Sequence, residues 1–209
     1  MKFKKFKGNI QILSNASVGG LDAQFKLAPK LRTKYTEDKI THLKPKKAAV
    51  LVLFYPDIDQ NTRFLLTLRA SYKGTHSSQI SFPGGKIEFQ DKSMKETALR
   101  ETFEEVGIKP NVITTFKEMT DVFIPPSNFL VKPFLGYLES IPSFVTNHEV
   151  ASIIEVKLDD LLNDSSISKT VLSTSYAKKM EVPCFKLNDY IVWGATAMML
   201  SEIRELFTN

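Results

Sequence analysis

The sequence predicts an α/β or α+β domain in which strands dominate. Three observations carry this reading. Apolar, β-branched runs of strand length recur along the chain, a capped helical segment lies near its middle, and an apolar helical period closes it. At 209 residues and 43% hydrophobic content, the chain can bury one good core, so one domain is the natural count.

Residues 1–39 read as an N-terminal extension to a domain spanning 40–209, with a short helical stretch near Leu21 to Leu31 and the basic run Lys44-Pro45-Lys46-Lys47 just beyond it. The expected role of the extension is packing on the domain or contacting a second subunit, as in a homodimer. Ala48 to Tyr55 and Thr62 to Arg69 are strands, joined by a hairpin loop over Pro56-Asp57-Ile58-Asp59-Gln60-Asn61. Lys73 to Ser78 is a polar loop that could overhang a ligand. Gln79 to Phe82 is a short strand ending in Pro83-Gly84-Gly85, where glycines let the backbone approach phosphate or metal closely.

Ser93 and Glu96 have capping-box spacing, and Gly107 stands where a left-handed cap is wanted, so the central helix runs from Met94 to Val106. Leu99, Phe103 and Val106 fall on one stripe, expected to face the core. Glu101, Glu104 and Glu105 occupy the opposite side at i, i+3 and i+4. A solvated acidic face is the ordinary meaning of such a pattern. The alternative is a cation joining the acids, and hard oxygen ligands suit Mg²⁺ or Mn²⁺. Strands follow near Val112 to Phe116, Thr120 to Ile124, Leu130 to Leu138 and Glu149 to Val156, then a short helix over Leu158 to Leu162. Two strands near Val171 to Ser175 and Glu181 to Leu187 flank Lys178-Lys179. Ile191-Val192-Trp193-Gly194 leads into a last helix from Thr196 to Phe207, with Ala197, Leu200, Ile203 and Leu206 on its inner face.

Gly84, Gly85, Arg100, Glu101, Glu104, Glu105 and Gly107 together resemble the Nudix box, G-x5-E-x7-R-E-U-x-E-E-x-G-U with U aliphatic. The chain departs from it in three places: Asp91 for the first Glu, one extra residue before Arg100, and Phe103 for an aliphatic. Leu65-Leu66-Thr67-Leu68-Arg69-Ala70, followed by Phe82-Pro83-Gly84-Gly85, resembles the signature of the family's coenzyme A pyrophosphatase branch, for which the extra residue is expected. The Trp193-Gly194-Ala195-Thr196-Ala197 run is similar to that branch too. An Arg and a Gly of the signature are missing, roughly where Gly74 and Ser78 stand.

The resemblance implies the Nudix fold over about residues 40 to 207, a mixed sheet between helices. It implies metal-dependent hydrolysis of a diphosphate in a small nucleotide such as coenzyme A. Glu101, Glu104 and Glu105, with the Gly85 carbonyl, would hold Mg²⁺ or Mn²⁺. Arg100 would orient the acids, with Asp91 or Glu88 as its partner across the loop. The general base stays open between Glu101 and Glu149, the loop acid beside His148. Arg69 and Lys73 are candidates for the 3′-phosphate of coenzyme A, and Gly84 and Gly85 for close approach to substrate. His76 and His148 read as surface or substrate-facing groups, because magnesium avoids imidazole. His42 has no evident partner.

The net charge of +5 mildly favours a polyphosphate ligand and comes without a nucleic-acid motif. No membrane span or secretory signal is expected, and the single Cys184 fits a reducing cytoplasm. Two other readings stand beside coenzyme A hydrolysis. One is a Nudix hydrolase for a different nucleoside diphosphate derivative, such as ADP-ribose or a dinucleotide polyphosphate. The other is a non-catalytic Nudix module, which should lose box glutamates that this chain keeps.

Overall fold

The computed structural model describes residues 1–29, 32, 37–70, 79–174 and 177–208. The N-terminal segment forms four short helices, α1 (Phe3–Gly8), α2 (Ile10–Asn15), α3 (Gly20–Phe25) and α4 (Glu37–His42). The strands β1 (Lys46–Pro56), β2 (Thr62–Arg69), β3 (Ile80–Ser81) and β4 (Gly84–Lys86) precede the central helix α5 (Met94–Val106). Then come β5 (Thr114–Glu118), β6 (Val122–Ile124), β7 (Phe129–Tyr137) and β8 (Val150–Lys157). The chain closes with α6 (Leu158–Leu162), β9 (Ile167–Thr174), β10 (Ala177–Leu187), β11 (Tyr190–Trp193) and α7 (Gly194–Thr208).

β1 to β8 form one mixed sheet, and β9 to β11 a second, antiparallel one. In the large sheet β1 runs parallel to β7, from Lys46 beside Phe129 to Phe54 beside Tyr137, while the other pairings are antiparallel. β1 is buried on both faces, which is why it reads as an unbroken apolar run. Ala49, Leu51, Leu53 and Tyr55 pack on the α5 side with Ala98 and Val106. Ala48, Val52 and Phe54 pack on the α7 side with Ala197, Leu200 and Ile203. The sheet therefore lies between helices.

Residues ahead of the sheet share that second core. Phe6 is fully buried, and its ring centroid lies 5.1–6.2 Å from those of Phe54, Phe116, Tyr137 and Phe207, stacked on Phe207 and edge-on to Phe116 and Tyr137. Buried Glu202 of α7 ties α3 down, accepting from Gly20 N at 3.0 Å and Gln24 Nε2 at 3.1 Å.

Several expected boundaries shift. The helix expected over Leu21 to Leu31 is the shorter α3. Residues 110–112 form a 3-10 turn, so β5 starts at Thr114. β9 begins four residues earlier than expected, because Ile167 already pairs with Phe185, and β10 takes in Lys179. The glycine turn after Phe82 is itself a strand, β4, paired with β1.

Candidate functional site

β1 and β2 pair only where they meet, from Phe54 beside Phe64 to Pro56 beside Thr62. Away from that junction they part, and residues 80–86 fill the fork. β3 pairs with β2, and β4 pairs with β1, with Ala49 opposite Gly85 and Val50 opposite Gly84. Phe82 is 2% exposed and plugs the fork, and the Pro83 carbonyl accepts from Leu51 N at 3.0 Å. Gly84 has φ +153°, and a Cβ there would sit 2.3 Å from the Ala49 carbonyl oxygen. A Cβ on Gly85 would sit 2.3 Å from Glu101 Oε1. Gly84 is required by the backbone of the strand behind it, whereas a side chain at Gly85 would displace the acid in front.

α5 delivers that acid. Ser93 is its N-cap, with Oγ accepting from Glu96 N at 3.2 Å, and Gly107 closes it at φ +78°. Glu96 does not complete the capping box; its Oε2 accepts from Lys92 N at 2.8 Å. The helix is also turned differently from its apolar stripe. Thr97, Ala98, Thr102, Glu105 and Val106 are buried, while Phe103 is 45% exposed. The reason is the surface below: β1 and β4 offer Ala49, Gly84 and Gly85, which admit small side chains and one carboxylate more readily than a phenyl ring.

Arg100 organises the loop between β4 and the helix. Its Nε and Nη2 hold Asp91 in a fork at 2.9 and 3.0 Å, and Nη2 also donates to the Lys86 carbonyl at 3.1 Å. Nη1 donates to Glu101 Oε1 at 3.1 Å and Glu104 Oε2 at 3.0 Å. Of the two predicted loop partners, Asp91 is the ion-pair partner; Glu88 contributes its backbone N–H to Asp91 at 2.9 Å. The guanidinium, with help from that N–H and from Thr97, holds the Asp91 carboxyl at about 2. Arg100 thus ties the loop to the helix and orients the acids.

Glu105 is 3% exposed, with Oε2 accepting from Gly84 N at 3.3 Å. Burial pushes its carboxyl up to about 7, against the opposing pull of the Arg69 guanidinium and the Gly84 N–H. Burial raises Glu101 as well. Arg69, at the end of β2, lies 3.6 Å from Glu105 and 3.5 Å from Glu149. Glu149 is placed by its loop: Asn147 N donates to the Glu105 carbonyl at 3.2 Å, and the Glu149 carbonyl accepts from Ala70 N at 2.7 Å.

Glu101, Glu105, Glu149, Arg69, Gly84 and Gly85 all line one cavity of about 420 Å³. Glu104 is half-exposed and turned to Arg100. Among the described residues no three His, Cys, Asp or Glu side chains converge closely enough to hold a metal ion alone. The buried Glu105 and partly buried Glu101 carboxylates beside a glycine backbone nevertheless fit Mg²⁺ or Mn²⁺, since magnesium commonly binds one or two protein carboxylates plus waters and substrate phosphates. Lys73, Gly74, His76 and Ser78 lie outside the described residues. Arg32 also lines the cavity and had no sequence signal beyond its charge; Ile124 carried only strand periodicity, Phe129 lay just ahead of an expected strand, and Trp193 stood in the run similar to the coenzyme A branch.

Comparison with known proteins agrees with this geometry. The NUDIX domain family matches residues 45–173. Nudix hydrolase 15, mitochondrial, of Arabidopsis thaliana is 32% identical over 164 residues, covering 75% of this chain and 57% of the relative. Peroxisomal coenzyme A diphosphatase ndx-8 of Caenorhabditis elegans is 30% identical over 155 residues, covering 73% of this chain and 64% of the relative. The chain thus spans little more than half the length of the plant relative. Among solved structures, a Nudix hydrolase from M. smegmatis, RenU, superposes with a TM-score of 0.56 at 17% identity, over 78% of this chain and 86% of that one. The family match, the mixed sheet between helices and the acids gathered at Gly84-Gly85 lead to one conclusion: the chain belongs to the Nudix family.

Proposed function

We propose that the protein hydrolyses the diphosphate of coenzyme A or its derivatives, giving 3′,5′-ADP and 4′-phosphopantetheine. The observation that carries the chemistry is the placement of Glu101 and Glu105 against Gly84 and Gly85, in a cavity that also receives Arg69 and Glu149. The substrate assignment draws on Leu65 to Ala70 with Phe82 to Gly85, and on the likeness to a coenzyme A diphosphatase at 30% identity.

In this reading Glu101 and Glu105 hold Mg²⁺ or Mn²⁺ with the Gly85 backbone, and Glu104 contributes from the outer side. When bound, the ion offsets charge on the diphosphate. The two glycines keep side chains away from the phosphates. Arg69 lies at the acid end, within reach of a diphosphate oxygen. Arg100 keeps the helix and the β4 loop in register. Glu149 is 48% exposed at the same cavity, and we assign it the proton of the attacking water. Water oxygen bonds to one phosphorus, the bridging P–O bond breaks, and the bridging oxygen leaves with the other phosphate.

Purified protein, Mg²⁺ or Mn²⁺ and separate nucleotide substrates, with products identified by mass, test this. Release of 3′,5′-ADP from coenzyme A supports it. A second reading follows from Gly74 and Ser78 standing where the branch signature has Arg and Gly. Cleavage of ADP-ribose or a dinucleotide polyphosphate, with coenzyme A untouched, would establish that one instead. Glu149→Gln should lose turnover with metal affinity unchanged; retained turnover would move the base to Glu101.

A further inference from the structure

Glu149 stands in a short turn ahead of β8, and a carboxylate in a turn keeps its aim only where the backbone beneath it is fixed. Three bonds fix this one. The Glu149 carbonyl accepts from Ala70 N at 2.7 Å, and Val150 N donates to the Asn147 carbonyl at 3.4 Å. The Glu149 N–H donates to the Asn147 side chain, at 2.9 Å from Oδ1. The last two close an Asx turn over residues 147–150. Just beyond it β8 pairs with β2, with Val150 opposite Arg69 and Ser152 opposite Leu68, so Ala151 is an extra residue in the ladder. Such a bulge twists its strand and re-aims the side chains beside it.

The same stretch closes α5. The last carbonyls of a helix find no partner within it. Here the Val106 carbonyl accepts from Val145 N at 3.0 Å and the Glu105 carbonyl from Asn147 N at 3.2 Å. Asn147 is common to both attachments: its backbone N–H is fixed on Glu105, and its side chain holds Glu149.

We infer that Asn147 is a positioning residue for the hydrolysis, setting the Glu149 carboxylate at a fixed place relative to Glu105; this rests on Glu149 taking the proton of the attacking water. The backbone bond ties the turn to the helix whatever side chain stands at 147. The amide therefore has one separable task, which is to receive the Glu149 N–H and keep that residue from turning away. Glu149 is 48% exposed, so packing does not replace a lost bond. Arg69 meets both acids as well, at 3.6 and 3.5 Å, but these longer contacts are less directional than the bonds through Asn147.

The test measures kcat, KM and calorimetric Mn²⁺ affinity for wild type, Asn147→Ala, Asn147→Asp, Glu149→Gln and the double variant Asn147→Ala/Glu149→Gln. The substrate is coenzyme A, ADP-ribose or a dinucleotide polyphosphate, whichever wild type cleaves, and rates are taken well below each thermal midpoint. Glu149→Gln should lower kcat by about a hundredfold or more, the range of a general base. Asn147→Ala should lower it by about tenfold or more, with KM and Mn²⁺ affinity within about twofold of wild type, because only the aim of Glu149 is disturbed. Asn147→Asp keeps an acceptor oxygen for the turn and should restore kcat to within about threefold of wild type. The double variant should fall within about twofold of Glu149→Gln alone, since the two residues act as one unit. Losses that multiply, an unchanged kcat in Asn147→Ala, or a loss that follows weaker Mn²⁺ binding overturn the inference and leave Glu149 as the base. A wild-type kcat in Glu149→Gln overturns the base and the positioning role together.

Discussion

Glu105 should make the metal-free protein lose stability as pH rises through neutrality. Its carboxyl would titrate near 4.5 in the unfolded chain and does so at about 7 in the fold, because burial at 3% exposure outweighs Arg69 and the Gly84 N–H. The folded state therefore keeps a proton that the unfolded state releases. The associated stability is fully present below pH 4.5, declines from there, and is gone above pH 7. At 1.36 kcal/mol for each tenfold change in proton affinity, the swing is about 3 kcal/mol. For a chain of this length that amounts to about 10 °C in melting temperature. Asp91 and Asp57, both shifted downward, act in the opposite direction and only below about pH 4, so the window from pH 5 to 8 leaves the two upward-shifted acids, Glu105 and Glu101.

The assay is thermal or urea unfolding with a chelator present, at intervals from pH 5 to 8, for wild type and Glu105→Gln. Wild type should lose about 3 kcal/mol across the window, while the variant keeps only the smaller slope from Glu101, also shifted upward. Adding Mg²⁺ or Mn²⁺ should stabilise wild type more at pH 8 than at pH 5, since the ion competes with the proton for the same oxygens. Parallel curves for the two proteins would refute the buried-acid account.

Gly85→Ala should fold nearly normally, because Glu101 can swing aside, yet lose activity by about a hundredfold or more as that carboxylate leaves its place; wild-type kcat/KM would contradict the placement. Gly84→Ala should instead destabilise the fold by several kcal/mol, since its Cβ meets backbone, and denaturant melts distinguish the two variants. Phe6→Ala should cost about 3–5 kcal/mol, and a change below 1 kcal/mol would show the N-terminal segment to be peripheral. Hydrolysis should stop in excess chelator and return with Mg²⁺ or Mn²⁺, measured by product mass; full turnover in chelator would exclude the metal-dependent mechanism.

The ends of α5 were legible because capping is local: Ser93 and Gly107 act through neighbours a few residues away. Its facing was not. Hydrophobic periodicity scores Thr97, Thr102 and Glu105 as polar and Phe103 as core, whereas the surface of β1 and β4 wants small side chains and a carboxylate there. The box acids were readable as a set through their spacing. That Glu101 and Glu105 turn to the glycines while Glu104 turns to Arg100 depends on tertiary contacts no spacing encodes. Arg69 could be seen as a cation beside the site, but its position between Glu105 and Glu149 needs the β2–β8 pairing, a contact between residues some eighty positions apart. Arg32 lacked any periodic or motif signal. Phe3 and Phe6 sit in a stretch rich in lysine, and only the assembled core shows both rings buried.

The fork between β1 and β2 explains why the glycine motif and the acidic helix come as one unit. Two paired strands that diverge leave unpaired backbone facing inward, which is costly unless something bonds to it. Residues 80–86 meet that need on both sides, with β3 on β2, β4 on β1, and the Pro83 carbonyl on Leu51 N. The wedge must be thin where it lies on Ala49 and Val50, hence Gly84, and thin again on its outer side, hence Gly85. A thin wedge leaves a gap that a helix side chain can enter, and Glu105 enters it to reach Gly84 N. The buried carboxylate is thus a consequence of filling the fork with glycine, and its high proton affinity follows from the burial. Arg100 then fixes the loop to the helix through Asp91, so wedge and acids hold their relative position. A change that closes the fork should remove the acid site with it, whereas a change to the acids alone should leave the fork intact.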